Sequence, residues 1–289
     1  MSEFCDETPP TLFNVIPSPR DDRDWNCDVL HDKSINLPRV LDLKAKLQPV
    51  RNQGSQGTCA AQVASCMKEW QERKDVEFKG YMSPQFIYNN RVNVDTTGMF
   101  GRDVMSILKN KGCCSEELYK YGTVEAVDAI SDEVKTAAEK YKILGFARIY
   151  KADTLKRALL MNGPCYISFP VYNMTNRMWE QHEGEKKLGG HAMTVVGYDK
   201  KGFIIRNSWG KYWEGDGHCS YPYEDWGVHY EVWTTVDEIT SKPVPSKNAC
   251  AKLYRLLAGS TVKKGELDMK DIYEEKKEVY TMTMMMKKI

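Results

Sequence analysis

Residues 48–71, QPVRNQGSQGTCAAQVASCMKEWQ, pass from a polar, glycine-broken loop directly into a helix-like pattern, with a cysteine at the junction. The apolar residues after this cysteine recur at spacings of three and four, as on one face of a helix: Ala60, Val63, Ala64, Met67 and Trp70. The pattern predicts a helix over about 59–73 with Thr58 as its N-cap. It places the thiol of Cys59 at the positive end of a helix dipole, which favours the thiolate.

Length and composition describe an ordinary globular protein. The 289 residues suffice for one large or two small domains, and 42% hydrophobic with 28% charged residues is not the composition of a disordered chain. A net charge of +1 lacks the basic excess of a dedicated nucleic-acid binder. No apolar run reaches the roughly 18 residues of a membrane span. We therefore expect neither a nucleic-acid partner nor a transmembrane segment.

Cysteine usage and the N-terminal sequence bear on the compartment and on metal binding. The chain has nine cysteines, an odd number, and MSEFCDETPP at residues 1–10 lacks the apolar core of a secretory signal. We expect mostly reduced thiols in a cytosol-like compartment. Cys113 and Cys114 lack the C-x-x-C spacing of a zinc site, so we interpret them as packing residues and expect no metal and no cofactor.

The pattern of predicted secondary structure changes near residue 141. From about 52 to 140, segments such as SPQFIYNN and GRDVMSILKNKG carry helix-start and glycine-stop signals. From about 141 to 238, four runs are typical of strands and flank one helical piece, ADTLKRALLMNG: YKILGFARIY, PCYISFPVY, HAMTVVGYD and GFIIRNSWG. A helix-rich half followed by a strand-rich half predicts an α+β fold with two lobes, the helical lobe and the β lobe.

Two segments lie outside this pattern. Residues 1–36 are rich in proline and aspartate with little periodicity, which predicts an extended segment outside the core. Residues 239–289 form a basic extension, which we interpret as a solvated appendage.

The junction at Cys59 has the chemistry of a nucleophilic site. Most cysteines are small buried hydrophobes, but a cysteine at a helix N-terminus after QGSQGT is unusual enough to favour a nucleophile. Acyl transfer develops negative charge on a carbonyl oxygen, which the side-chain amide of Gln53 and the backbone N–H of Cys59 can stabilise. Taken alone, Gln53 would be interpreted as a surface loop residue.

A general base is also needed, and His191 is the histidine whose context marks it. It opens HAMTVVGY, and the turn DKKG leads into GFIIRN. An antiparallel hairpin of these runs brings Asn207 within a few residue pairs of His191, although the sequence does not fix the register. Asn207 can then accept a hydrogen bond from one imidazole nitrogen and direct the other at the thiol, while Trp209 shields that bond from water.

Three segments carry a specific resemblance: PVRNQGSQGTC (49–59), GGHAMTVVGY (189–198) and RNSWGKYWEGDG (206–217). Their order and separations resemble the three catalytic blocks of papain-like cysteine proteases. Weaker similarity covers roughly 37–238, and segments such as MSPQFIYNNR and GHCSYPYEDW are more similar to the compact bacterial and viral branch than to lysosomal cathepsins. Because this branch includes viral proteins, we expect either a cytoplasmic or a virion-associated location.

The resemblance implies a papain-like α+β fold with a cleft between the helical lobe and an antiparallel, barrel-like β lobe. It implies four catalytic roles: Cys59 as nucleophile, His191 as general acid/base, Asn207 as its orienter and Gln53 as oxyanion donor. Two positions depart from the family pattern. Gln56 replaces a cysteine that is disulfide-bonded in secreted members, and Ala60 replaces an aromatic residue, but neither change removes a reacting group.

The leading hypothesis is an endopeptidase that cleaves peptides or proteins through a thioacyl-enzyme at Cys59, without a cofactor. The same residues also suit aminopeptidase trimming, amide hydrolysis or acyl transfer, because a fold and a triad do not fix a substrate. A catalytically silent binding protein is a third hypothesis, against which the retained cysteine and histidine argue.

The substrate cleft is the hardest part to predict. Besides Trp209, we expect Met99, Phe100, Ala192 and Tyr223 to contact substrate, and an apolar lining would favour an apolar side chain. For residues 1–36 we weigh two alternatives equally: an inhibitory segment that runs through the groove until it is removed, and a strap packed on the β lobe.

Overall fold

A computed structural model describes residues 13–29 and 36–237, and shows helices packed against one antiparallel sheet. The helices in this part of the chain are α1 (Cys59–Val76), α2 (Pro84–Asn89), α3 (Gly101–Asn110), α4 (Asp132–Glu139) and α5 (Ala152–Asn162). The strands are β1 (Leu41–Asp42), β2 (Gly145–Arg148), β3 (Cys165–Val171), β4 (Gly189–Tyr198), β5 (Gly202–Arg206), β6 (His218–Pro222) and β7 (Glu231–Val236). None of the described helices combines the length and apolarity needed to cross a bilayer.

The sheet has the order β2-β7-β3-β4-β5-β6, and β1 pairs with the far end of β4. Its apolar side chains form one cluster with α5, the β-lobe cluster, which contains Leu155, Ile167 and Ile205. A second cluster, the helical-lobe cluster, gathers around α1 and α3 and contains Met67 and Val104. A third, smaller cluster contains Phe86 of α2 and Val134 of α4. Separate clusters for the β lobe and for the helical lobe agree with the predicted two-lobed α+β architecture.

Helix α1 lies between the lobes and packs against β3 and β4. It begins at Cys59 as expected but continues to Val76, three residues beyond the predicted end. Thr58 occupies the N-cap position without a side-chain cap bond, because its hydroxyl instead pairs with the Tyr121 hydroxyl at 2.7 Å. Thr58 is therefore the N-cap residue as predicted, but its side chain makes no cap bond.

Helix α1 buries charged side chains as well as its apolar face. Lys68 is fully buried, and its ammonium lies 2.5 Å from Glu72 and 2.6 Å from Asp237, just beyond β7. A buried charge must be paired, and Asp237 supplies that partner from the other lobe.

The remaining helices agree with their sequence signals. The Ser83 hydroxyl accepts a hydrogen bond from Phe86 N at 3.1 Å, with Pro84 at the first helical position of α2. Beyond α3, Gly112 has φ +80, and a Cβ there would lie 2.0 Å from the carbonyl oxygen of Ala138. A glycine is therefore required where this helix stops.

The predicted hairpin is formed by β4 and β5. Thr194 pairs with Arg206 and Tyr198 with Phe203, and the register shifts between Val195 and Gly197. The sequence did not determine the register of this hairpin, and the structure shows that it contains a β-bulge.

The N-terminal segment contacts the rest of the protein in two places. In the groove between the lobes, Val15 N donates to the carbonyl oxygen of Gly190 at 3.0 Å, and Ile16 bridges Phe100. Farther along, Arg148 N of β2 donates to Trp25 O at 2.7 Å. The two locations weighed from the sequence are thus occupied by different parts of the segment. The predicted appendage at 239–289 lies outside the described residues.

Replacing Ser83 by alanine should destabilise the protein by about 1–2 kcal/mol, because its hydroxyl both caps α2 and donates to Tyr119 O at 2.6 Å in a buried position. Urea unfolding measures the change. Ser131→Ala, which removes an exposed cap of α4, is the matched control with an expected loss of about 0.5–1 kcal/mol. Equal losses in the two variants would contradict the double role of Ser83.

Candidate active site

Cys59 is the first residue of α1, and its side chain is buried. Burial raises the pKa of the Cys59 thiol to about 11, although backbone N–H groups of Ala192 and Ala60 act in the opposite direction. In this closed arrangement desolvation outweighs the helix terminus. The expectation that position alone lowers this pKa is corrected: the thiol is held neutral.

His191 and Asn207 are joined by the hydrogen bond that the hairpin predicted. His191 Nε2 lies 2.7 Å from Asn207 Oδ1, which also accepts from Ser208 N at 2.8 Å. Since an amide oxygen only accepts, Nε2 carries the proton and Nδ1 is a free acceptor. Nδ1 is buried and has no hydrogen-bond partner among the described residues.

The surroundings of His191 keep its imidazole uncharged. Burial lowers the pKa of His191 to about 4, against the opposing effect of the hydrogen bond to Asn207. The Trp209 ring centroid lies 4.7 Å from that of His191, and Trp209 itself is buried. Trp209 thus covers the imidazole, as the sequence predicted.

Gln53 is buried rather than exposed, and its side-chain amide is fixed at both ends. The carbonyl oxygen accepts from the Ser208 hydroxyl at 2.6 Å, and Nε2 donates to Gln56 O at 2.9 Å. One N–H of the amide is used in this way, and the second makes no hydrogen bond to the described residues. Sequence reasoning missed Ser208, which links Gln53 to the Asn207 loop; its place between Asn207 and Trp209 was the available signal.

The groove beside these residues is filled by the N-terminal segment. The Phe13 ring packs edge-on against His191, with centroids 6.2 Å apart, and against Trp209 at 5.9 Å. Val15 is buried in the helical-lobe cluster, which also contains Cys59. The fit is close, since a Cβ at Gly190 would lie 2.2 Å from Val15 O. Within the described part of the chain, residues 13–15 thus occupy the path to the thiol.

The predicted substrate contacts divide into two groups. Met99 and Ala192 are buried in the same cluster as Val15, and Phe100 bridges Ile16, so all three lie along the occupied groove. Tyr223 does not. Its hydroxyl donates to Asp199 O at 2.7 Å, at the hairpin turn, which is the end of β4 away from His191. The expectation for Tyr223 is therefore corrected.

Two residues near the groove were not predicted. Tyr230 lines a depression of about 300 Å³ beside the segment, together with Thr97, Lys187 and Gly189. The buried carboxylate of Glu231 accepts hydrogen bonds from Ser18 N at 3.3 Å, Ser18 Oγ at 3.0 Å and Gly101 N at 3.2 Å. An acidic residue at the start of the buried strand EVWTTV was the signal for Glu231.

Comparison with known proteins adds family information to this geometry. The model of the papain family of cysteine proteases matches residues 37–232. A peptidase C1-like protein of Acanthamoeba polyphaga mimivirus is 25% identical over 238 residues, covering 72% of this chain and 76% of that protein. The viral cathepsin of Cydia pomonella granulosis virus is 28% identical over 200 residues, covering 63% of this chain and 56% of that protein. The chain thus spans little more than half the length of this second relative.

Solved structures show the same architecture. Xylellain, a cysteine protease from Xylella fastidiosa, is 27% identical with a TM-score of 0.68, covering 78% of this chain and 96% of that one. Digestive procathepsin L2 from the larval midgut of Tenebrio molitor is 20% identical with a TM-score of 0.60, covering 82% of each chain. The predicted α+β fold is confirmed.

The raised pKa of the Cys59 thiol predicts slow alkylation of this cysteine at neutral pH. In the full chain, the rate of Cys59 labelling by iodoacetamide should stay low from pH 5 to 8 and rise only toward pH 11, because an uncharged His191 gives the thiolate no help. Peptide mass mapping distinguishes Cys59 from the other cysteines. A chain lacking residues 1–18 should react faster at neutral pH, and fast labelling of the full chain at pH 6 would contradict the prediction.

Proposed function

Because the chain belongs to the papain family of cysteine proteases, we propose that this cysteine peptidase is an endopeptidase with Cys59 as its nucleophile and His191 as its general acid/base. The observation that carries the proposal is the 2.7 Å bond from His191 Nε2 to Asn207, which leaves Nδ1 as an acceptor without a partner among the described residues. Peptides or proteins are the proposed substrates.

The proposed reaction begins with transfer of the Cys59 proton to His191 Nδ1 and attack of the sulfur on the carbonyl carbon. The backbone N–H of Cys59 and the free N–H of the Gln53 amide stabilise the developing oxyanion. His191 returns the proton to the leaving amine, and a thioacyl-enzyme remains. Water, deprotonated by the same nitrogen, then hydrolyses it. Asn207 keeps the imidazole in the required tautomer throughout.

We further propose that the full chain is a latent form, held so by residues 13–18. Phe13 and Val15 bury the reacting groups, and the pKa of Cys59 is raised while that of His191 is lowered. A neutral thiol is a poor nucleophile, and a neutral imidazole does not favour its thiolate. Release of the segment would readmit water and favour the ion pair. A cytoplasmic or virion-associated location remains a proposal as well.

Cys59→Ala should abolish peptide hydrolysis with the fold intact, and Gln53→Ala should reduce kcat/KM on the order of a hundredfold. Turnover of a fluorogenic peptide blocked at both ends, by the chain without residues 1–18, is the measurement. Cys113→Ala, a buried cysteine of the helical lobe, is the matched control and should retain activity. A requirement for a free N-terminus would favour trimming, and full activity of Cys59→Ala would refute the proposal.

Latency itself can be tested by expelling the segment without shortening the chain. Val15→Asp would bury a carboxylate in the apolar groove, so the segment should leave and the initial rate should rise at least tenfold. Ile16→Asp is the matched control, because the Ile16 side chain is 40% exposed. Intact mass must show both chains uncut. Equal rates for the two variants would contradict the inhibitory role.

A further inference from the structure

The N-terminal segment is fixed to the body in two separate places. The first is the groove, where Phe13 O accepts from Gly190 N at 3.1 Å and Val15 N donates to Gly190 O. This part ends at Ser18, which is buried and bonded to Glu231. We call residues 13–18 the cleft part.

The second place is the outer edge of the β lobe, at β2. Asp24 accepts from Arg102 Nε at 2.7 Å and Nη2 at 2.5 Å, and lies 3.9 Å from Arg148 Nη1. Asn26 bridges Arg148, and Cys27 is buried in the β-lobe cluster. We call residues 24–28 the β-lobe part. Arg102 contacts both parts, because its backbone N also donates to Ser18 Oγ at 3.0 Å. Arg148, by contrast, pairs with the β-lobe part.

The residues between these parts, 19–23, are the sequence PRDDR. The Arg20 side chain is 88% exposed and pairs with Asp22, and the Arg23 side chain is 90% exposed and pairs with Asp21. These ion pairs stay inside the run. Its hydrogen bond to the body is made by the carbonyl oxygen of Pro19, which accepts from Arg102 Nη2 at 2.5 Å. The side chains of Arg20, Asp22 and Arg23 are exposed, whereas that of Asp21 is 22% exposed and the Asp21 carbonyl oxygen accepts from Asp24 N at 3.0 Å. The charged side chains of the run form no ion pair with the described residues of either lobe.

We propose that this run is the processing site of the protein, cut after Arg20 by a peptidase that cleaves after arginine. Water adds across the Arg20–Asp21 peptide bond and leaves a carboxylate on Arg20 and an amino group on Asp21. The inference rests on the proposed latency. It adds two points: the position at which the chain is cut, and the retention of the β-lobe part in the mature protein.

Arg20 is favoured over Arg23 because the residues on the C-terminal side of each are held differently. A peptidase binds several residues on both sides of the cut in extended form. Beyond Arg23 this would require breaking the pairs between Asp24 and Arg102. Beyond Arg20, the side-chain pairs that residues 21–23 make within the described chain are with one another and with Arg20.

The cut changes how the cleft part competes with substrate. While it is tethered, its effective concentration at the groove is on the order of millimolar. After hydrolysis the peptide 1–20 is an ordinary ligand and leaves on dilution. The β-lobe part remains covalently joined to the catalytic domain through the rest of the chain.

Limited trypsin digestion of the full-length Cys59→Ala chain tests the site, because this chain cannot process itself. Intact mass should show a first product that begins at Asp21, and gel filtration should remove peptide 1–20. In the wild-type chain the same cut should raise the rate of Cys59 alkylation at pH 7 at least tenfold.

Arg20→Gln should slow both events at least tenfold, while Arg39→Gln, at another exposed arginine, should change neither. A first product that begins after Arg23, Lys33 or Arg39, or a peptide 1–20 that stays bound through gel filtration, would overturn the inference. A wild-type chain that is cut and labelled as expected but hydrolyses no peptide would instead refute the proposed endopeptidase and leave the processing site standing.

Discussion

The hydrogen bond between His191 Nε2 and Asn207 Oδ1 is the interaction on which the site depends. It exists because β4 and β5 form a hairpin whose ends bring the two residues together, and because Asn207 Oδ1 is held in turn by Ser208 N. The tautomer that it selects turns an unprotonated nitrogen away from Asn207. The same loop reaches Gln53 through the Ser208 hydroxyl, so one short stretch of chain orients both the proposed base and the proposed oxyanion donor.

The exclusion of solvent sets the charge states of the Cys59 thiol and the His191 imidazole. With Phe13 and Val15 in place, burial favours the uncharged form of each, so the thiol is held as a weak nucleophile by the same segment that blocks access to it. Under the proposed latency, steric and electrostatic inhibition would have one cause and would end together. The bond between His191 and Asn207 is fully formed in the closed arrangement, so the proposed inhibition requires no change in that pair.

Local signals predicted much of this architecture, and long-range contacts decided the rest. The start of α1 at Cys59 and the β4–β5 hairpin result from spacing and turn residues in adjacent sequence. The tertiary partners do not. The Thr58 hydroxyl pairs with Tyr121 instead of capping α1. Tyr223 lies at the hairpin turn because the pairing of β5 with β6 sets the preceding residue, Pro222, opposite Gly202. The charge state of Cys59 depends on burial among residues distant in sequence, Val15 included, so no motif around the cysteine could predict it.

The buried ammonium of Lys68 has a consequence for how the molecule unfolds. It sits on the central helix and takes one of its two counter-charges from Asp237, at the end of a strand of the opposite lobe. Pulling the lobes apart would leave part of that charge uncompensated in a low-dielectric interior, which is strongly unfavourable. We therefore expect the two lobes to unfold together in a single cooperative transition. Neither lobe is expected to fold autonomously.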